Sequence, residues 1–234
     1  WRKADLVDIC ISFLEKVQYL HSMNVILGDI NPKNLMVDEK KNVFIIDADS
    51  WQLEGYPCPV GTPMFTSPAM LELFAVATML FMIVMTGQFP YIRTGTDGDM
   101  VQLIKEGNFA FQYENRNNKD QPEGDWKYMW SHIHKPIKDL FWHTFHREGK
   151  RYKKRPTATE WLEAFKAYKS YLRNSRMCFD PMSNDVYPIR NKAFKQDTPI
   201  QDCPTCGRKD AIAGIWNDDN EEYFVPRWCN KCRE

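Results

Sequence analysis

The sequence predicts an α+β fold: a mostly helical domain over residues 1–174, a linker over 175–201 and a small cysteine-rich module over 202–234. Three observations predict it. Apolar residues recur at helical spacing through much of the first 174 residues. Only short apolar runs separated by polar turns interrupt that pattern, after the first helix. Two Cys-x-x-Cys pairs, Cys203–Cys206 and Cys229–Cys232, lie near the C-terminus.

The elements follow in order. Leu6, Ile9, Cys10, Phe13, Leu14, Val17 and Leu20 set a helix from Ala4 to His21. Short runs at Val25–Leu27, Leu35–Val37 and Val43–Ile46 come next, and Asp38–Asn42 joins the last two as a hairpin connection. A loop rich in Gly and Pro spans Gly55–Pro68. Leu73–Met85, broken only by Thr78, reads as a helix buried on all sides that stops at Gly87 and Pro90.

Met100–Glu106 is a short amphipathic helix, and the polar stretch Glu114–Asp125 is a solvated loop. Ile137, Leu140, Phe141 and Phe145 mark another helix. Thr157-Ala158-Thr159-Glu160 is a capping box after Pro156, opening a helix whose apolar face is Trp161, Leu162, Phe165, Tyr168 and Leu172. From Ser175 to Gln201 periodicity is lost and prolines appear. That stretch reads as an extended linker packed on the main domain.

Composition limits the function classes. With 43% hydrophobic and 26% charged residues the chain is globular. Its 31 basic and 31 acidic residues cancel, so no global field draws it to nucleic acid or to a membrane surface. The 13-residue apolar stretch Leu73–Met85 falls short of the roughly 20 residues that cross a bilayer. Seven cysteines, four of them at metal-ligand spacing, point to a reducing compartment rather than a disulfide framework; a cytoplasmic location is expected.

The segment Leu27-Gly28-Asp29-Ile30-Asn31-Pro32-Lys33-Asn34 has an Asp followed, after four residues, by an Asn. Such spacing lets an Asp meet an attacking hydroxyl while an Asn turns back to hold a metal ion on phosphates, both within one tight loop that Pro32 stiffens. Thirteen residues beyond Asn34, at the end of an apolar run, comes Asp47 in Asp47-Ala48-Asp49. Further on are Gly61-Thr62-Pro63, Ser67-Pro68 and Lys154-Arg155-Pro156.

This ordered set resembles a protein-kinase C-lobe over about Trp1–Asn174. The resemblance implies an ATP-dependent protein kinase of Ser/Thr type acting on a protein substrate. Asp29 would be base or orienter, with Asn34 and Asp47 as Mg2+ ligands beside ATP. More narrowly, Gly-Asp-Ile-Asn-Pro-x-Asn with Ile-Asp-Ala-Asp-Ser-Trp-Gln resembles bacterial kinases associated with tellurite-resistance and helix-hairpin-helix proteins. That narrower resemblance implies a von Willebrand-type or phosphatase partner.

Several positions depart from the family pattern. Leu27 and Gly28 stand where His-Arg usually precede the Asp, so activation by loop phosphorylation is not expected. Asn31 replaces a Lys common in Ser/Thr kinases. Asp49 replaces the Gly of the metal triplet, as a second metal contact or a polar turn residue. Ala69 stands where the Glu of Ala-Pro-Glu would be, which leaves the partner of Arg155 open. The sequence has no Gly-rich loop and no Val-Ala-Ile-Lys strand. The N-lobe is therefore expected upstream of Trp1, and a segment of roughly ten residues is expected to be missing between Pro68 and Glu72. A pseudokinase scaffold without phosphotransfer is the alternative reading.

Cys203, Cys206, Cys229 and Cys232 read as two knuckles of a zinc ribbon, with strands at Ile212–Trp216 and Glu222–Val225. Four thiolates leave no open position on Zn2+, so a structural role is expected. Arg208, Lys209, Arg227, Lys231 and Arg233 are offset by Asp218, Asp219, Glu221 and Glu222, which favours protein docking over nucleic acid. His143 and His146 share helical spacing, either as joint ligands of a second metal or as partly buried helix residues.

Overall fold

The computed structural model describes residues 1–53, 71–93, 100–111, 122, 126–147, 155–173, 186, 199–207, 212–217, 222–229 and 232. Gly61-Thr62-Pro63, Ser67-Pro68, Ala69 and Lys154 lie outside them, as do Cys58, Cys178 and most of the 175–201 stretch.

Helix α1 (Lys3–Ser22) buries Ile9, Cys10, Phe13, Leu14, Val17 and Leu20 of the stripe that the spacing predicts, while Leu6 is only half-buried and Val7 is buried in addition. The Asp5 carboxylate accepts the Arg2 N–H (2.7 Å) and so closes the first turn. After α1 the Val25–Leu27 run forms one bridge, with Ile26 and Gln52 exchanging N–H···O bonds of 3.0 and 2.8 Å. A 3₁₀ turn (Pro32–Asn34) leads into β1 (Leu35–Val37), which pairs antiparallel with β2 (Val43–Ile45) in the register Met36↔Phe44. Asp38 organises the connection, accepting Asn42 N–H and Nδ2, each at 2.8 Å. Leu35 and Ile45 face the core while Met36 and Phe44 are exposed, the alternation of a one-sided hairpin.

Helix α2 (Leu71–Val84) runs through the middle of the domain. Phe74 to Phe81 is buried throughout, and Thr78 satisfies its hydroxyl on the Phe74 carbonyl (2.9 Å). Phe81 is the hub: Phe109, Phe111, Trp130, Phe141 and Phe145 surround it at ring-centroid distances of 5.0–6.1 Å. Past Met85 the helix ends in a Schellman arrangement, with Gly87 N–H on Met82 O (2.7 Å) and left-handed Thr86 at φ 50°.

Helix α3 (Met100–Glu106) closes at Gly107, φ 65°, whose carbonyl accepts the Arg147 N–H at 2.9 Å. A Cβ there would lie 2.7 Å from Arg147 N, so both conformation and close approach demand glycine. Helix α4 (Trp126–Ser131) is not anticipated by the periodicity; it supplies buried Met129 and Trp130. Helices α5 (Lys135–Phe145) and α6 (Ala158–Arg173) follow. The capping box forms, with Thr157 N–H on Glu160 Oε2 (2.7 Å) and Glu160 N–H on Thr157 Oγ1 (3.3 Å).

Helix α6 lies antiparallel on α1. Gln18–Thr159, Glu15–Lys166 and Asp8–Lys169 line the seam, over a buried face that includes Trp161, Phe165 and Tyr168. Val186, within the expected linker, packs on this same core. No helix among the described residues is long and apolar enough to cross a membrane.

The cysteine module is built from two small antiparallel pairs. β3 (Ile200–Gln201) pairs with β4 (Ile212–Ala213), and β5 (Ile215–Asn217) pairs with β6 (Glu222–Phe224). The strand expected over Ile212–Trp216 is split at Gly214 into β4 and β5, and β6 falls within the expected Glu222–Val225. β3 comes from the stretch expected to be linker, where two residues are too few to carry a period.

Candidate active site

The Leu27–Asn34 loop is held at its start, middle and end. At the start, Leu27 donates its N–H to Glu72 Oε1 at 2.8 Å. In the middle, Asp29 N–H reaches Ser50 Oγ at 3.1 Å, and Ser50 is buried at the end of the Asp47-Ala48-Asp49-Ser50 segment. At the end, Ile46 N–H donates to the Asn34 carbonyl (2.9 Å), which brings Asp47, the next residue along, to the side of Asn34. The loop is thus tied to α2 through the Glu72 carboxylate, to Ser50 through its hydroxyl and to the hairpin through a backbone bond.

Asp29 is half-buried, and two amides aim at it. Asn31 Nδ2 donates to Asp29 Oδ2 at 2.9 Å, and Asn34 Nδ2 donates to the Asp29 carbonyl at 3.0 Å and to Oδ2 at 3.4 Å. Asn31 also accepts the Lys33 N–H on Oδ1 (2.9 Å), so both ends of its side chain brace the loop. With its amide N–H groups turned inward, Asn34 has Oδ1 as its remaining donor atom for a cation.

Asp47 is exposed and sits in the left-handed region at φ 64°, ψ 79°. A non-glycine residue held there costs on the order of 1–2 kcal/mol. Such strain is concentrated where loops serve a site. Asp49 lies exposed in the 3₁₀ turn Ala48–Ser50, the position of a polar turn residue. One amide oxygen and one free-standing carboxylate are hard oxygen donors, a set that suits Mg2+ and leaves room for waters and phosphate oxygens.

Glu72, Ser50 and the bracing role of Asn31 are not evident from the motif. A carboxylate starting an otherwise apolar helix is the one signal that points to Glu72. It also lies 2.9 Å from His21 Nε2, and that bond, more than burial opposing it, raises the His21 pKa above 6.5. Arg155 places its guanidinium 5.3 Å from the Phe74 ring centroid, and burial lowers its pKa.

The four cysteines of the C-terminal module bring their sulfurs within 4.8 Å of one another, and Cys206 and Cys229 are 3.6 Å apart. A tetrahedron with metal–sulfur bonds of about 2.3 Å has edges close to that separation. Cys203 and Cys229 are buried, Cys206 is exposed. Backbone N–H groups, that of Cys229 first, hold the Cys203 thiol down to about 6. Burial pushes Cys232 up to about 12. Four sulfurs at this spacing suit Zn2+ or iron.

The histidines form no second cluster among the described residues. His146 is buried and stacks on Trp142 at 4.8 Å, His143 meets the same ring edge-on, and His134 stacks on Tyr168 with Tyr171 tilted beside it. His143, in the last turn of α5, and His146, its C-cap residue, pack on one indole.

Comparison with known proteins gives one consistent result. The family model described as "Protein kinase domain" matches residues 2–165. Among curated proteins, the chain is similar to "Protein kinase YegI" of Escherichia coli (strain K12), at 23% identity over 230 residues, covering 88% of this chain and 33% of that protein. It is similar to "Myosin light chain kinase A" of Dictyostelium discoideum, at 25% over 130 residues, 49% of this chain and 43% of that one. It also matches "Serine/threonine-protein kinase ppk34" of Schizosaccharomyces pombe, at 30% over 105 residues, 38% and 29% of the two chains. The chain spans about a third of the length of the Escherichia coli relative.

Proposed function

The chain belongs to the protein kinase domain family, and from that premise we propose that it carries the catalytic half of an ATP-dependent Ser/Thr-type protein kinase. The observation that carries the reading is the loop geometry. Asn31 and Asn34 both direct amide N–H groups at the Asp29 carboxylate, and the Ile46–Asn34 bond sets Asp47 beside them.

In this reading Asp29 accepts or orients the proton of a protein hydroxyl as it attacks the γ-phosphorus of ATP. Asn31 and Asn34 fix the plane of its carboxylate, so the hydroxyl meets an acceptor already oriented. Asn34 Oδ1 and the Asp47 carboxylate would hold Mg2+. The ion, when bound, neutralises phosphate charge as it develops. Exposed Met36 and Phe44 lie on the hairpin that follows the loop.

Cys203, Cys206, Cys229 and Cys232 are proposed to hold a structural Zn2+. Bound zinc contributes on the order of 10–16 kcal/mol, which a module with two strand pairs needs in order to fold. By resemblance, the protein is bacterial and works with a von Willebrand-type or phosphatase partner, and its cysteine usage favours the cytoplasm.

A second reading, a pseudokinase scaffold, is favoured by Asn31. Both ends of its amide are spent inside the loop, where the family pattern has a Lys for the transferred phosphate. Phosphate transfer from labelled ATP, measured in the intact protein, separates the two. Asp29→Ala and Asp47→Ala are expected to abolish transfer while circular dichroism stays unchanged. Equal transfer in both variants and the parent protein would sink the kinase reading, and absence of Mg2+-dependent nucleotide binding in the parent would favour the scaffold.

A further inference from the structure

Between Leu27 and Ile30, both buried in the core, the chain runs through Gly28 and Asp29. Gly28 stays out of the left-handed region, but it carries no Cβ. Sterics therefore leave the Gly28–Asp29 peptide free to rotate between its two anchored neighbours. The polar groups of this stretch are held by side chains instead. The Asp29 N–H, which belongs to that same peptide, donates to Ser50 Oγ at 3.1 Å, and the Asp29 carbonyl accepts Asn34 Nδ2 at 3.0 Å.

The Ser50 side of this bond is rigid. Ser50 is buried at the end of the 3₁₀ turn Ala48–Ser50. Trp51 closes that turn with its N–H on the Ala48 carbonyl (3.0 Å) and packs against the main core, and Gln52 is bridged to Ile26. Ties from Ile26 to Gln52, from Asp29 to Ser50 and from Asn34 to Ile46 zip segment 26–34 antiparallel against segment 46–52. The outer ties are main-chain bonds. The middle one, at Asp29, is made by a side chain and can be removed by substitution.

We propose that Ser50 is a positioning residue for Asp29: its hydroxyl latches the Gly28–Asp29 peptide and supplies the restraint that a side chain at position 28 would otherwise impose. Rotation of that peptide turns Asp29 about its N–Cα bond and re-aims the carboxylate, so the latch sets the direction in which an attacking hydroxyl is met. A restraint matters most where the chain has most states to lose, so the Ser50 bond should count for more beside glycine than beside alanine. Its effect on turnover rests on the kinase reading; its effect on the peptide does not.

The test reads the Asp29 amide directly. Hydrogen-exchange protection factors are measured by NMR for the parent chain, Ser50→Ala, Ser50→Thr, Gly28→Ala and the double variant Gly28→Ala with Ser50→Ala. In Ser50→Ala the Asp29 protection factor is expected to fall about tenfold. Val43, whose N–H is held by Ser12 Oγ, stays unchanged as the internal control. Ser50→Thr keeps the acceptor oxygen and should hold Asp29 protection within about twofold of the parent. In the Gly28→Ala background, removing the Ser50 hydroxyl is expected to cost only about threefold. Unchanged Asp29 protection in Ser50→Ala would overturn the proposal. So would an equal loss in both backgrounds, which would make Ser50 an ordinary buried bond. Should Gly28→Ala fail to fold, the Ala and Thr variants at Ser50 still decide. In the intact protein Ser50→Ala should lower kcat with the KM for ATP preserved, and Ser50→Thr should restore it; a change in KM alone would count against positioning. If the parent protein transfers no phosphate while the Asp29 amide responds as expected, the kinase reading fails and the latch stands.

Discussion

Replacing Asn31 by Asp exchanges one NH2 for an oxygen and nothing else, yet it inverts the interaction with Asp29. The amide that now donates at 2.9 Å becomes a second carboxylate at the same place. With the carboxylate centres roughly 4 Å apart, repulsion is about 1 kcal/mol at the dielectric of water and about 4 kcal/mol at an effective value of 20. Asp29 is half-buried, so the lower half of that range applies. Loss of a hydrogen bond to a charged acceptor adds about 1.5–3 kcal/mol. Together these give Asn31→Asp a destabilisation of about 2.5–5.5 kcal/mol at pH 7.

The two carboxylates also bind a proton more tightly than one alone. The penalty therefore shrinks as pH falls and the pair takes up a shared proton. Urea denaturation at pH 7 and pH 5 measures the stability, and the pH–rate profile of the intact protein measures the function. Under the kinase reading, the acid limb of that profile moves to higher pH, because the base must be ionised. Asn31→Ala serves as the control: it loses both bonds but gains no charge, so its stability loss should not depend on pH. A pH-independent loss in Asn31→Asp, or stability equal to the parent chain, would refute the assignment of Asn31 as the brace of Asp29.

Other consequences are open to measurement. Gly107→Ala forces a Cβ to 2.7 Å from Arg147 N at φ 65°, and should cost about 2–4 kcal/mol in thermal or urea unfolding. Phe81→Ala empties the centre of the aromatic cluster and should cost about 3–5 kcal/mol by the same assays; a loss under 1 kcal/mol would show that the cluster collapses to fill the space. For the cysteine module, atomic absorption is expected to find one zinc per chain in the parent protein and none in Cys229→Ser. A chelator should broaden the amide resonances of Ile215–Asn217 and leave those of α1 in place.

The legible part of this molecule was the part written in short-range code. Asp29, Asn34 and Asp47 stand out because one loop and one hairpin fix their spacing. The stripe of α1 and the Thr157–Glu160 box are likewise local. The supporting groups are not. Ser50 meets Asp29 across 21 positions and Glu72 meets Leu27 across 45, and nothing in a linear reading marks a serine or a glutamate as the partner of a distant N–H. Helix α4 escaped for a related reason. Its six residues are too few to show a period, and they are helical because Trp130 fits beside Phe81, Phe109 and Phe111.

The pairing of β3 with β4 bears on how the cysteine module can be transplanted. Gly214 donates its N–H to the Pro199 carbonyl (2.8 Å), and a Cβ at Gly214 would sit 2.6 Å from the Pro199 ring. The chain before the first knuckle is thus clasped against the chain after it. A graft that began at Asp202 would carry all four cysteines yet leave β4 with a bare edge, open to pairing with a neighbouring molecule. Cut ahead of Pro199, the same cassette keeps its own edge covered. As a portable part, the module is delimited by that clasp and not by its metal ligands.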